Sequence, residues 1–194
     1  MANSAVLKTL EHAWQALAPL ETPMAVMGGL ALSAWNYPRS TRDIDLLISI
    51  SGHEPEELID RLAAAGYRAR HSPPVRRLND MRLVQMDIEP PDAFVSVNID
   101  LLLVDSVYHR EAFERICPFR LTNSTGEMFV LSCEDLLLHK LIGGRMIDRS
   151  DAAAVLRANR DAIDVAYLKS WSERLKLDAD LREVWREAYG DELR

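Results

Sequence analysis

Two acidic residues stand two positions apart in the segment Thr41-Arg42-Asp43-Ile44-Asp45. If this segment is a strand, alternate residues face one side at a rise of roughly 3.3 Å each, so Asp43 and Asp45 lie about 6.6 Å apart on the same face. At such a distance two carboxylates repel by roughly 3 kcal/mol at an effective dielectric of about 20. Divalent cations remove that penalty, and the pattern therefore predicts a pair of magnesium ligands.

A third acid, Asp100, lies in an apolar segment, 94–104, that reads as another strand. The apolar residues of this strand share one face, which places Asp100 on the opposite, polar face. Phosphoryl transfer by two metal ions requires oxygen ligands on rigid neighbouring strands, with the ions about 4 Å apart. Asp43, Asp45 and Asp100 are therefore candidate catalytic residues and metal ligands. The alternative is a solvated strand edge whose acids pair with Arg39 and Arg42.

A glycine pair, Gly28-Gly29, follows a short apolar strand and precedes a helix that runs to Trp35. Glycines at such a junction let main-chain N–H groups approach phosphate oxygens that a Cβ would keep away. We therefore expect contact with a triphosphate, although a plain tight turn is the commoner use of this dipeptide. Ser33, one helical turn further on, either faces the same phosphate or bonds back to the helix backbone.

A capping box, Ser132 with Asp135, predicts a helix whose apolar face carries Lys140. Lys140 either reaches inward toward a phosphate or extends its ammonium into water over the neighbouring leucines. Arg145, Asp148 and Asp151 share one face if this helix continues past Gly143-Gly144. If the helix breaks there, Asp148 is an N-cap with Asp151 in the first turn.

The remaining periodicities predict alternating helices and strands up to about residue 104 and helices in the last third of the chain. The expected helices are 6–17, 28–35, 55–65, 133–141, 152–156, 165–175 and 181–189, and the expected strands are 25–27, 43–50, 82–88 and 94–104, with a loop or edge strand at 67–82. We therefore expect an α/β (α+β) fold, a mixed sheet flanked by helices. The division predicted is a core over 1–126 and a helical region over 127–194.

Composition narrows the class of protein. The 194 residues are 48% hydrophobic, enough for a buried core, and a net charge of −7 argues against coating nucleic acid through a global positive field. The two cysteines do not suggest a disulfide framework, and no apolar run reaches the ~18 residues of a membrane span, so a cytoplasmic protein is expected. A local positive patch remains at Arg68, Arg70, Arg76, Arg77 and Arg82. It would hold a tRNA backbone or a triphosphate, or it is simply solvated.

These motifs together resemble the DNA polymerase β-like nucleotidyltransferase superfamily, and most of all the AbiEii-type toxins and related nucleotidyltransferase-like proteins. The resemblance rests on Gly28-Gly29, Thr41-Arg42-Asp43-Ile44-Asp45, Asp100, Glu134-Asp135-Leu136 with Lys140, and Arg145-x-x-Asp148. It implies that Asp43 and Asp45 bind Mg²⁺ and that Asp100 helps to activate the acceptor hydroxyl. It also implies the nucleotide-binding residues, which are Gly28, Gly29, Ser33, Arg42, Lys140 and Asp148, and it counts Lys140 among the catalytic residues as well.

The function expected is a Mg²⁺-dependent transfer of a nucleoside monophosphate from an NTP such as ATP to an acceptor hydroxyl, with two metal ions. The acceptor is a tRNA 3′ end, a protein side chain or a small molecule of the aminoglycoside type. An antitoxin protein is a further expected partner, and no membrane is expected. The alternative from another class is a non-catalytic nucleotide-binding module of a toxin–antitoxin pair.

Overall fold

The computed structural model describes residues 4–90, 95–120 and 127–193. In order along the chain, its elements are α1 (Ser4–Leu17), β1 (Met24–Val26), α2 (Gly28–Ala34), β2 (Asp43–Ser49), α3 (Pro55–Ala64), β3 (Arg68–Ala69), β4 (Val75–Leu78), β5 (Met81–Ile88), β6 (Val97–Val104), α4 (Val107–Glu114), β7 (Cys117–Phe119), β8 (Met128–Val130), α5 (Cys133–Gly143), α6 (Met146–Ala158), α7 (Val165–Arg174) and α8 (Asp178–Tyr189). Two short 3-10 turns, Ala18–Leu20 and Arg160–Ala162, follow α1 and α6.

The strands form one eight-stranded mixed sheet in the order β3-β5-β6-β2-β1-β8-β7, with β4 added beside β5. The central pair, β2 and β6, is parallel, and β1 and β5 flank it in antiparallel orientation. These two central strands carry the three predicted acids. The sheet therefore places all three near the middle of one face.

The burial of alternate residues on β2 distinguishes the core face of the sheet from its polar face. Ile44, Leu46 and Ile48 are fully buried, whereas Asp43 is exposed and Asp45 is partly exposed. Helices α1 and α3 pack together, α1 contacts β2 and β6, and α3 contacts β3, so these helices cover one face. Helices α2 and α5 contact each other, and α2 contacts β2. The acids thus lie on a face that the helices cover only in part, which leaves room for a cleft.

The α/β fold with a mixed sheet and flanking helices is confirmed, and most predicted elements are found within a few residues of their expected ends. Three elements were missed, α4, β7 and β8. Phe94 and the turn at 122–126 lie outside the described residues. The division at residue 126 stays a prediction, and β8, just beyond it, pairs with β1 inside the sheet.

The junction after α5 settles one open alternative. Gly144 adopts a left-handed conformation, with φ of 64°, and ends α5, so the helix does not continue. The N-cap of α6 is Arg145, and Asp148 lies inside the first turn. Asp148 as an N-cap is therefore wrong.

Throughout 4–90, 95–120 and 127–193, every helix is too short or too polar to cross a bilayer.

Candidate active site

A cleft of about 530 Å³ opens over the polar face of β2 and β6. One end is formed by the turn from β1 into α2 and the other by the β4–β5 hairpin, while α5 and the start of α6 form the facing wall. The residues that line it are Met27, Gly28, Gly29, Arg39, Thr41, Asp43, Asp45, Leu78, Asn79, Met81, Leu83, Asp100, Leu102, Leu136, His139, Lys140, Ile142, Gly143, Arg145 and Asp148.

The centre of the cleft is an acidic pair. Asp45 and Asp100 are register partners on the parallel strands β2 and β6, so their side chains leave the same face of the sheet about 4.8 Å apart at the backbone. Burial, followed by the charge of Asp100, raises the pKa of Asp45 to about 6. Burial also raises the pKa of Asp100, against a hydrogen bond from Gln85 that lowers it. Two carboxylates crowded in this way attract a cation.

Asp43 and Asp100 each have an amide partner. Asn98 Nδ2 donates to Asp43 Oδ1 at 3.0 Å, and these residues are also register partners. Gln85 Nε2 donates to both carboxylate oxygens of Asp100, at 3.0 and 3.1 Å. Sequence reasoning did not single out Gln85. Its only signal was that it alternates with buried Val84 and Met86 in a predicted strand, on the same polar side as the acids.

The glycine pair packs directly on this acidic centre. Met27 N–H donates to the Asp45 backbone oxygen at 2.9 Å, which fixes the turn beside β2. Gly28 has φ of 61°, and a Cβ built there would lie 2.0 Å from Asp45 Oδ2. A Cβ on Gly29 would lie 2.8 Å from Thr41 Oγ1, and the Gly29 N–H bonds to the Asp45 carboxylate. Gly28 is therefore needed for close approach to Asp45, and Gly29 for close approach to Thr41, beyond the phosphate contact that we expected.

A buried ionic network lies in the facing wall. Lys140, which is 7% exposed, donates from Nζ to Asp148 Oδ1 at 3.0 Å and to Asp151 Oδ2 at 2.8 Å. Arg145 Nε donates to Asp148 Oδ2 at 2.6 Å, and Arg39 Nε lies 3.6 Å from Asp151 Oδ1. These three cations and two acids leave one net positive charge facing the acids of the sheet. The charge of Lys140 accordingly lowers the pKa of Asp45.

Hydrogen bonds from the cations of this network lower the pKa of Asp148. Burial alone would raise the pKa of Asp148, but the hydrogen bonds from Arg145 and Lys140 hold it below its ordinary value. A Cβ on Gly143 would lie 2.8 Å from Asp148 Oδ2, so a glycine is needed for the approach of this acid to the end of α5. Lys140 thus neither snorkels into water nor stands alone. It is buried between two acids at the edge of the cleft.

Two predicted nucleotide-binding residues lie apart from the others. Ser33 is exposed on α2 and Arg42 is exposed just before β2, and neither lines the cleft. Arg39, which sequence reasoning treated only as an ion-pair partner, lines it instead. His139 also lines the cleft but is buried, and burial, followed by nearby His109, lowers its pKa to about 3. An imidazole of that basicity is neutral at pH 7 and a poor general base.

The donor set fits Mg²⁺ in its chemistry. Carboxylate oxygens are the ligands this hard cation prefers, and Asp45 and Asp100 present them side by side on one face of the sheet. Within 4–90, 95–120 and 127–193, however, no three acidic, histidine or cysteine side chains converge as a ready-made metal site. Asp45 and Asp100, with Asp43 beside them, would hold the ion together with oxygens of the substrate.

Comparison with known proteins identifies the family of this chain. The family model described as nucleotidyl transferase AbiEii toxin, type IV TA system, matches residues 12–194. The chain belongs to the AbiEii family. It is a nucleotidyltransferase, and the family prediction from its motifs is confirmed. A search of curated protein sequences finds no match.

Solved structures of other nucleotidyltransferases share the fold of this AbiEii family member. ANT(2″)-Ia in complex with adenylyl-2″-tobramycin superposes with a TM-score of 0.58 at 14% identity, over 89% of this chain and 99% of that one. A candidate nucleotidyltransferase from Thermotoga maritima superposes with a TM-score of 0.51 at 16% identity, over 81% and 93% of the two chains. At these identities the likeness establishes the fold alone.

Proposed function

We propose that this AbiEii family member transfers a nucleoside monophosphate from an NTP to an acceptor hydroxyl in a Mg²⁺-dependent reaction. The observation that supports this most is the pairing of Asp45 with Asp100 across two parallel strands, with the backbone of Gly28 packed against Asp45. Asp43, Asp45 and Asp100 would hold Mg²⁺, which when bound supplies positive charge to the reacting phosphate. Lys140, Arg145 and Arg39 in the facing wall place positive charge opposite these acids.

The chain's own residues then account for the proton and for orientation. The acceptor oxygen attacks the α-phosphorus, the bond from that phosphorus to the bridging oxygen breaks, and pyrophosphate leaves. Asp100, whose pKa burial raises, takes the proton of the acceptor hydroxyl. Arg145, with its side chain 74% exposed, and partly buried Arg39 lie at the cleft and balance the charge of the triphosphate. The turn at Gly28 and Gly29 keeps the backbone close to the reacting centre.

The acceptor side of the cleft favours an RNA 3′ end over an aminoglycoside. In the sheet order β5-β6-β2-β1, the glycine turn adjoins β2 and the β4–β5 hairpin lies on the far side of Asp100. Past Asp100 the cleft is lined by apolar Leu78, Met81, Leu83 and Leu102. Such a wall suits a stacked base, whereas a polycationic sugar gains little from apolar side chains. Arg76, which is exposed on β4 opposite Leu83, shares the face of this wall, where phosphates would pass.

Transfer of label tests this function directly. The purified protein is incubated with Mg²⁺, each α-labelled NTP in turn and total bacterial RNA, beside Asp45→Ala. We expect label on an RNA of tRNA size, lost in Asp45→Ala and reduced in Arg76→Ala. Label that persists in Asp45→Ala, or that appears on tobramycin but not on RNA, contradicts the corresponding part of the proposal.

The non-catalytic alternative makes a separate expectation. A nucleotide-binding module would gain thermal stability from Mg²⁺ and NTP without releasing pyrophosphate. For the toxin role that the family model's description suggests, expression of the wild type should arrest bacterial growth and Asp45→Ala should not. A protein antitoxin would relieve that arrest when expressed with the wild type. Equal growth arrest by both forms would separate toxicity from nucleotide transfer.

A further inference from the structure

A chain of polar side chains leads from Asp100 to the protein surface. Gln85 stands directly opposite Asp100 in the β5–β6 register and donates from Nε2 to both carboxylate oxygens. On its other side, Gln85 Oε1 lies 3.0 Å from Nε2 of His71, which is exposed. We infer that Gln85, held by His71, is a positioning residue that orients the Asp100 carboxylate. The consequence for turnover rests on the proposed function.

The hydrogen-bond polarity of this chain is fixed from one end. An ionised carboxylate only accepts hydrogen bonds, so Gln85 must turn its NH₂ group toward Asp100. Its carbonyl oxygen then faces His71, and the His71 Nε2 must carry the hydrogen. Arg76 Nη1 lies 3.5 Å from the same nitrogen and cannot donate to it in that state. The carboxylate at the centre of the cleft thereby selects the tautomer of a surface histidine.

The backbone keeps this arrangement in register. The Arg70 N–H donates to the Gln85 backbone oxygen at 2.9 Å, directly after the β3–β5 pairing, so His71 is delivered beside the Gln85 side chain. Gln85 itself is partly buried, which limits its freedom to turn away. Its amide occupies the β5 side of Asp100, while Asp45 lies on the β2 side. Without the Gln85 amide, repulsion from Asp45 would turn the Asp100 carboxylate away from the orientation in which both acids face the cleft.

Kinetics of matched glutamine variants test the role. Gln85→Met removes both hydrogen bonds at nearly constant length, and we expect kcat to fall about 10- to 100-fold, as for other partners behind a metal ligand, with the NTP KM unchanged. Gln85→Glu, which sets a second carboxylate against Asp100, should lower kcat at least as much as Gln85→Met. Gln15→Met, at an exposed position of α1, is the control and should retain full activity. A loss carried by KM alone contradicts a positioning role.

The contribution of His71 is separable from that of Gln85. His71→Leu should lower kcat about 2- to 10-fold, the effect of one hydrogen bond, and His71→Gln, which restores an N–H donor, should recover most of it. In the Gln85→Met background, His71→Leu should have no further effect, because His71 acts only through Gln85. Additive losses in the double variant would overturn the inference.

The side-chain amide of Gln85 gives a measurement that does not need turnover. The chain has two glutamines, Gln15 and Gln85, so their NH₂ resonances are readily told apart. Asp100→Asn and His71→Leu should each shift the Gln85 resonances and leave those of Gln15 in place. Shifts without any transferase activity would refute the proposed function and leave the orientation of Asp100 by Gln85 standing. Gln85 resonances that respond to neither variant would overturn the inference whatever the activity.

Discussion

Replacement of Asp45 by asparagine should stabilise the protein while abolishing its activity. Burial and the charge of Asp100 raise the pKa of Asp45 from 3.8 to about 6. Between these two values the unfolded chain has released this proton and the native carboxyl retains it, so the free energy of unfolding falls as the pH rises. Above pH 6 the accumulated cost is about 3 kcal/mol, at 1.36 kcal/mol for each unit of pKa difference.

Asp45→Asn should recover this cost, because asparagine stays neutral and can still accept the Gly29 N–H. The weaker bond that a neutral acceptor makes is already included in the pKa of about 6, because the Gly29 hydrogen bond is one of the interactions that set it. We therefore expect up to about 3 kcal/mol of added stability at pH 7.5, or up to roughly 12 °C in Tm for a chain of this size. At pH 4 the difference should vanish, because the wild-type carboxyl is protonated in the native state there.

The assay is thermal and urea denaturation of both proteins from pH 4 to 8, with Asp43→Asn as the matched control. Asp43 is exposed on the same strand, so its replacement should change stability little at any pH. Saturating Mg²⁺ with NTP should raise the Tm of the wild type and leave Asp45→Asn unchanged. If Asp45→Asn is less stable than the wild type at pH 7.5, or if the difference does not shrink toward pH 4, the reasoning is refuted.

Three further predictions concern backbone, network and core. Gly28→Ala should lose nucleotide binding and more than about 1–2 kcal/mol of stability in the same denaturation assay, because a carboxylate oxygen of Asp45 lies where the new Cβ would be. The control is Gly52→Ala, at a residue with φ of 85° and nothing within 4 Å of the new Cβ, which should lose only the free energy of the left-handed backbone strain. Lys140→Met should cost about 3–5 kcal/mol in urea unfolding, because it leaves two buried acids without their ammonium; a loss below about 1 kcal/mol would contradict this. Burial lowers the pKa of His109 to about 4 and that of His139 to about 3, so the free energy of unfolding should fall as the pH drops below 6.5. His139→Phe should reduce the slope of the unfolding free energy against pH by up to one proton.

Much of the fold followed from local patterns. The alternation of Ile44, Leu46 and Ile48 with Asp43 and Asp45 specified a half-buried strand, because successive side chains of a strand face opposite sides. The capping box at Ser132 gave the start of α5 to within a residue, and the Ser132 side chain accepts from Asp135 N–H as that motif requires. The short strands β7 and β8 were missed, since three residues carry too little periodicity to be recognised alone.

Parts of the site depended on contacts between segments far apart in sequence. The register that sets Asp45 beside Asp100 joins strands 55 residues apart, and no local pattern states it. Lys140 gave an ambiguous signal because an apolar helical face suits both a snorkelling and a buried lysine. Its pairing with Asp148 and Asp151 required the break at Gly144 that turns α6 back on α5.

The sequence by itself determined the family to which the chain belongs. It also predicted the residues that carry the chemistry, which are the glycine turn and the acids on alternating strand positions. These are properties of residue type and short spacing, which local steric and hydrogen-bonding rules govern. Tertiary structure alone decided which of them lie together. It brought Gln85 and His71 to Asp100 and buried Lys140 between two acids, while it left Ser33 and Arg42 outside the cleft. Charge interactions depend on distance and burial in space, and the order of residues along the chain does not fix either.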